Sequence, residues 1–161
     1  MVAGSFTVEV ESSVEPKRLW NATVNDSHNL LPKQAPGIIA AVTILQGDGG
    51  VGTIRQVDFT PANKDFSYVK ERVDQVDEDN LVFSFSHVEG GVLGTKLASA
   101  NHHMKFSPKA GGGSIATFTV SYDSLPGVLL DESKLQEFKA NSIGLFRLVE
   151  QYLLANPTLY L

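Results

Sequence analysis

The chain has 161 residues, 42% of them apolar, with 13 Lys+Arg against 18 Asp+Glu and a formal charge of −5. A chain of this length buries roughly 68–70% of its unfolded surface, so one domain over residues 1–161 needs no staple, and the absence of cysteine excludes a disulfide framework, a thiolate zinc site and a cysteine nucleophile. The acidic balance lacks the footprint of a general nucleic-acid binder, and with neither a leader-like N-terminus nor a run of 18 apolar residues the expectation is a cytoplasmic chain outside the membrane.

Residues 5–11 alternate apolar Phe6, Val8 and Val10 with polar neighbours, the period of a half-buried strand. Pro16 then opens a short helix, and a second short helix starts near the cap residues Asn25 and Asp26. From Gly37 the pattern is strand (38–46), glycine turn (47–52) and strand (53–59). Further strands fall at about 66–76, 80–88, 95–107 and 114–122, with turn-forming clusters between them. Such spacing predicts an antiparallel meander. After Pro126 the period changes to 3.6: Asp131 caps a helix with Leu135, Phe138, Ser142, Phe146, Val149 and Leu153 on one stripe, and Pro157 ends it. The expected fold class is therefore α+β, with a long helix laid across one face of the sheet. Ser142 and Gly144 read as slack within that helix's stripe.

Strand parity gathers aromatic and polar side chains on one face. Phe83, Phe85 and His87 share a side, as do His102, Met104 and Phe106. Phe138, Lys139 and Ser142 come from the helix. Large rings mixed with a few polar groups suit an apolar ligand pocket, and an ordinary core with a polar rim has the same pattern. His102 and His103, adjacent on a strand, point to opposite faces and cannot chelate one ion together, so no metal site is expected.

Four ordered motifs, Gly47-Asp-Gly-Gly-Val-Gly-Thr53, Tyr68-Val-Lys-Glu-Arg-Val-Asp-Gln-Val-Asp77, Val88-Glu-Gly-Gly91 and Val149-Glu-Gln-Tyr-Leu-Leu154, span the chain. Together they resemble the plant pathogenesis-related class-10 (Bet v 1-like) family. The resemblance implies a seven-stranded curved antiparallel sheet gripping the C-terminal helix, with two short helices between strands 1 and 2 and a large internal cavity. It further implies a monomeric carrier, linked to plant defence, for small amphipathic metabolites or hormones such as flavonoids, cytokinins and steroid-like molecules, working without a cofactor. Parity and the family cavity together give the expected lining: Phe59, Phe66, Tyr68, Phe83 and Phe85 from the earlier strands, His102, Met104 and Thr119 from the later ones, and Phe138, Lys139 and Ser142 from the helix.

Enzymatic alternatives are weighed on the same residues. The turn glycines Gly47, Gly49, Gly50 and Gly52 resemble a phosphate loop, but Gly52-Thr53-Ile54 runs into a strand instead of a helix N-terminus. The ribonuclease set proposed for the family maps onto Arg55, Ala98, Glu150 and Tyr152, where the second position has lost its carboxylate. Abscisic-acid receptors, similar in fold, carry a Ser-Gly-Leu-Pro gate and a His-Arg-Leu latch; here those loops read Thr60-Pro-Ala-Asn-Lys64 and Glu89-Gly-Gly-Val-Leu93. The catalytic lysine of the similar norcoclaurine synthases would fall near Thr117, in the lysine-free run 114–122. Ligand entry is expected through the 131–143 segment and the facing loops 60–65 and 89–94, hinged on the turn-rich 123–127.

Overall fold

The computed structural model describes residues 3–161. In chain order the elements are β1 (Ala3–Ser12), α1 (Pro16–Trp20), a π-helical turn (Asn21–Asn25), α2 (Ser27–Gln34), β2 (Ile39–Gln46), β3 (Ile54–Phe59), β4 (Tyr68–Asp77), β5 (Val82–Gly90), β6 (Leu97–Pro108), β7 (Ser114–Ser124) and α3 (Glu132–Ala155). Each strand lies within two residues of its expected ends. All neighbours are antiparallel, in the order β1-β7-β6-β5-β4-β3-β2. The sheet is thus a meander from β2 to β7 with β1 returned to its far edge, and the short helices carry the chain from one edge to the other.

Local chemistry explains the breaks. Pro16 occupies the first helical turn of α1, where its missing N–H costs nothing. Beyond Trp20 the helix widens, with Thr23 Oγ1 donating to the Leu19 carbonyl at 2.6 Å, and Asp26, at φ −128°, ends it before α2 starts. Gly4 is needed for a close approach: a Cβ there would meet the Tyr122 hydroxyl oxygen at 2.5 Å.

The long helix is fixed firmly at its C-terminal end. The Arg18 guanidinium donates to the carbonyls of Leu153 (2.6 Å), Asn156 and Leu159 (2.8 Å), satisfying groups that a helix end leaves unpaired and setting a cation against the negative end of the dipole. Phe146, Val149 and Leu153 are sealed against a core containing Val8, Val10, Leu19, Trp20, Phe106 and Ala116. Toward its N-terminus, capped by Asp131 accepting from the Lys134 amide at 2.9 Å, the same stripe continues as Leu135, Phe138 and Ser142, all only half-buried. The expectation for Gly144 is corrected: it lies on the solvent side of α3, with open space where a Cβ would project. The stripe advances by about 100° per residue, which carries position 144 round to the outer face.

Candidate functional site

The concave face of the sheet carries a row of polar side chains across adjacent strands. Arg55 on β3 pairs in register with Glu71 on β4, and Glu71 with His87 on β5. His102 on β6 stands opposite Phe85, one inward position from His87. Arg55 Nη2 donates to Glu71 Oε2 at 3.1 Å and Nη1 to the Ser27 hydroxyl of α2 at 2.9 Å. Glu71 is buried and Arg55 nearly so, their side chains 7% and 13% exposed. The guanidinium also lies over the rings of Phe83 and Phe85, 5.5 and 5.1 Å from their centroids, a cation–π arrangement that rewards a charge withdrawn from water.

Beside the ion pair, three rings pack into a wall, with His87 tilted 32° to His102. Phe85 and His102 are stacked with centroids 4.7 Å apart and planes 5° from parallel, and His87 lies 4.6 Å from His102. Phe83 adds an edge contact to Trp20 at 6.5 Å. Burial is the main reason that the His102 imidazole is pushed down to about 3, with His87 and Arg55 adding repulsion toward its charged form. His87 is lowered as well, chiefly by burial, with Arg55 adding to the shift and Glu71 opposing it. Both rings are therefore neutral at pH 7.

Of the expected lining, Phe83, Phe85, His102 and Met104 face the helix from the sheet, and Phe138 and Ser142 face them from α3. Ser142 donates its hydroxyl to the Phe138 carbonyl at 3.2 Å. Lys139 lies toward β1, its ammonium 5.9 Å from the Phe6 ring. Phe59 and Phe66 meet edge to face at 5.1 Å, beside a shallow hollow of about 330 Å³ formed by residues 59–67.

Two expected lining residues are corrected. Thr119 is on the convex face, where its hydroxyl is 3.0 Å from that of Thr7; the inward positions of β7 are Ala116, Phe118, Val120 and Tyr122. Tyr68 also faces outward, donating to Glu89 at 2.8 Å beside Lys70, and that hydrogen bond is the first cause of its raised pKa. Its neighbour Val69 takes the buried position opposite Val57. Glu71 and His87, by contrast, belong to the site and were absent from the expected lining. The signal for Glu71 was a carboxylate at the parity of Val69 and Val73, and for His87 the parity of Phe83 and Phe85.

The glycine turn is occupied by its own acceptors. Gly47, Gly49 and Gly52 take positive φ, the Gly49 amide donates to Thr53 Oγ1 at 2.9 Å, and the Gly50 amide donates to the Asp48 carboxylate at 3.0 Å. Two amides of a phosphate cradle are thus spent, one of them on an anion. The crevice between this turn and α2 holds about 60 Å³. The ribonuclease set is not assembled either. Arg55 is committed to Glu71 and Ser27, Glu150 accepts from Arg147 on its own helix at 2.8 and 2.9 Å, Tyr152 packs against the sealed core, and Ala98 is exposed beside an irregularity of β6. Thr117 pairs with Lys105 and Glu9 on the convex side, and no inward position of β7 carries an amine.

Comparison with known proteins matches nearly the whole chain in sequence and in fold. Among sequence relatives, the major allergen Pru ar 1 of Prunus armeniaca is 41% identical over 159 residues, 98% of this chain and 99% of its own. The crystal structure of Ara h 8.0201 superposes with a TM-score of 0.84 at 29% identity, covering 96% of this chain and 99% of that one. Norcoclaurine synthase from Thalictrum flavum, in complex with dopamine and hydroxybenzaldehyde, shares the fold at a TM-score of 0.74 and 19% identity, over 96% of this chain and 88% of that one. The family model described as "Pathogenesis-related protein Bet v 1 family" matches residues 1–156, and the chain belongs to that family.

Proposed function

We propose that the protein is a cytoplasmic, monomeric carrier of small, flat, amphipathic metabolites, taken up between the sheet and the N-terminal half of α3 in the setting of plant defence. The observation that carries this reading is the incomplete burial of inward-facing side chains. Phe85, His102, Met104, Phe118 and Phe138 all point between sheet and helix, and all stay half-buried, whereas Phe106, Val149 and Leu153 a few residues away are sealed. Apolar rings that turn away from bulk water and still lack full contact are what a ligand cavity presents before it is filled. A protein of the same fold, norcoclaurine synthase, is known in complex with two small aromatic molecules.

A ligand burying roughly 200–300 Å² of apolar surface gains about 5–7 kcal/mol before the cost of association, which corresponds to micromolar affinity. Isothermal titration against flavonoids, cytokinins and polyphenols tests this directly: micromolar binding of several members is expected, and nothing tighter than millimolar anywhere in the panel overturns it. Entry is through the N-terminal half of α3 and the loops facing it, where Lys96 reaches Asp65 at 3.9 Å across the rim. Amide exchange should show protection on ligand addition mainly in 131–143, 60–65 and 89–94. Protection spread evenly over β5 and β7 would refute entry by that route.

A further inference from the structure

Polar atoms on the concave face are left over after all internal bonds are counted. Arg55 Nε is sealed from water and has no partner, and the same is true of His87 Nδ1, which is turned toward Gly91. The His87 and His102 side chains make ring contacts but no hydrogen bond among the described residues. A sealed N–H without an acceptor is costlier than a sealed lone pair, so the proton of neutral His87 belongs on Nε2, which is not among the sealed atoms. Neither nitrogen of His102 is sealed. A donor on His87 and a donor–acceptor ring on His102 therefore stand side by side on the concave face, centroids 4.6 Å apart, with neither spent on an internal side-chain bond.

The geometry points to His87 and His102 as an anchor that reads an uncharged, ring-bound hydroxyl: the hydroxyl oxygen accepts from His87 Nε2–H, its proton is donated to a His102 nitrogen, and the attached ring extends the Phe85–His102 stack. This rests on the carrier reading and narrows its ligands to hydroxylated aromatic or polycyclic molecules. Charge balance disfavours a carboxylate in the same place. Glu71 already neutralises Arg55, and both imidazoles are neutral, so an anionic ligand would bring an uncompensated buried charge. A transition ion could use the two nitrogens but lacks a third ligand: no group of three His, Cys, Asp or Glu side chains is placed to hold a metal among the described residues.

Three probes on one ring system test the anchor in the intact chain: 2-naphthol, 2-methoxynaphthalene and 2-naphthoate, titrated against the wild type and the variants H87F and H102F. The wild type should bind 2-naphthol at least about tenfold tighter than either analogue, because a site built around a hydroxyl leaves polar groups unpaired with the others. H87F and H102F keep a ring in the wall, and each should bring 2-naphthol to within about twofold of 2-methoxynaphthalene measured on the same variant. Imidazole nitrogen shifts of His102 in NMR spectra should move on adding 2-naphthol and stay put on adding 2-methoxynaphthalene. Equal wild-type affinity for the hydroxyl and methoxy probes, or a preference that survives in both variants, overturns the anchor and leaves the carrier reading intact. Failure of all three probes to bind overturns the anchor, and the carrier reading then falls only if the flavonoids, cytokinins and polyphenols also fail to bind.

Discussion

The two halves of α3 lie on the same sheet and differ in what they bury. The C-terminal half, held by Arg18, packs Phe146, Val149 and Leu153 against Trp20, Leu19 and Phe106 until nothing is exposed. The N-terminal half brings Phe138 and Ser142 over Phe85, His102 and Met104, and none of these is sealed. The Arg55–Glu71 pair stands on the same concave face, bonded to Ser27 of α2 and lying against Phe83 and Phe85. In the proposed carrier, stability and ligand contact fall to different parts of one continuous stripe: the closed end supplies the packing energy that lets the open end remain underfilled.

The largest test acts on the ion pair of the concave face. Glu71→Ala leaves Arg55 charged, buried and without its carboxylate, and should cost about 3–5 kcal/mol in chemical denaturation, whereas replacing both partners by apolar residues (Arg55→Met with Glu71→Leu) should recover most of that loss. A cost under about 1 kcal/mol for the single variant would mean that water reaches Arg55 and solvates its charge.

Next, the two halves should respond in opposite ways to truncation. Leu153→Ala should cost about 2–5 kcal/mol of stability and leave ligand affinity within about twofold. Phe85→Ala and Phe138→Ala should each lower affinity at least about fivefold, because losing an aromatic contact costs more than about 1 kcal/mol, with a smaller stability penalty than Leu153→Ala. Equal stability losses at Phe138 and Leu153 would erase the distinction between the halves.

The histidines give the open end a pH signature. His102 has a folded pKa near 3, below its ordinary 6.5, so between those values the unfolded chain binds a proton that the folded chain refuses. The stabilising contribution is complete above pH 6.5 and is lost as pH falls toward 3, with a slope of up to about 1.4 kcal/mol per pH unit. Denaturation midpoints measured from pH 7 to 4 should show that slope in the wild type and a shallower one in His102→Phe. An unchanged slope would place the acid sensitivity in other groups. The smallest effect belongs to the outer side of α3: Gly144→Ala, with open space for its Cβ, should raise stability by up to about 1 kcal/mol and leave affinity unchanged.

Legibility from sequence followed the range of the signal. Asp131, Pro157 and the 3.6-residue stripe marked the terminal helix within one or two residues, and turn-forming clusters, glycine-rich between β2 and β3, β5 and β6, and β6 and β7, marked the strand ends. The faces of the strands were harder. Tyr68 and Val69 are adjacent and both suit a strand interior, so alternation alone left the phase of β4 open until Val69 met Val57 across the ladder. Thr119 was misplaced although its neighbours Phe118 and Val120 are the better inward pair, opposite Met104 and His102. The π-helical turn at Asn21–Asn25 has no distinct local pattern beyond the expected interruption.

By itself, the amino-acid order determined the number, sequence and length of the elements and the amphipathic stripe of α3, because those depend on turn residues and on periods within about ten positions. It also determined the absence of cysteine chemistry. Tertiary structure alone decided that Arg55, Glu71, His87 and His102, carried by four strands, stand in one row on the concave face. It likewise decided that the helix closes tightly over one end of that face and loosely over the other. Both outcomes depend on cross-strand register and on where a 24-residue helix comes to rest, and register is set by pairing between residues far apart in the chain, where local propensity carries no information.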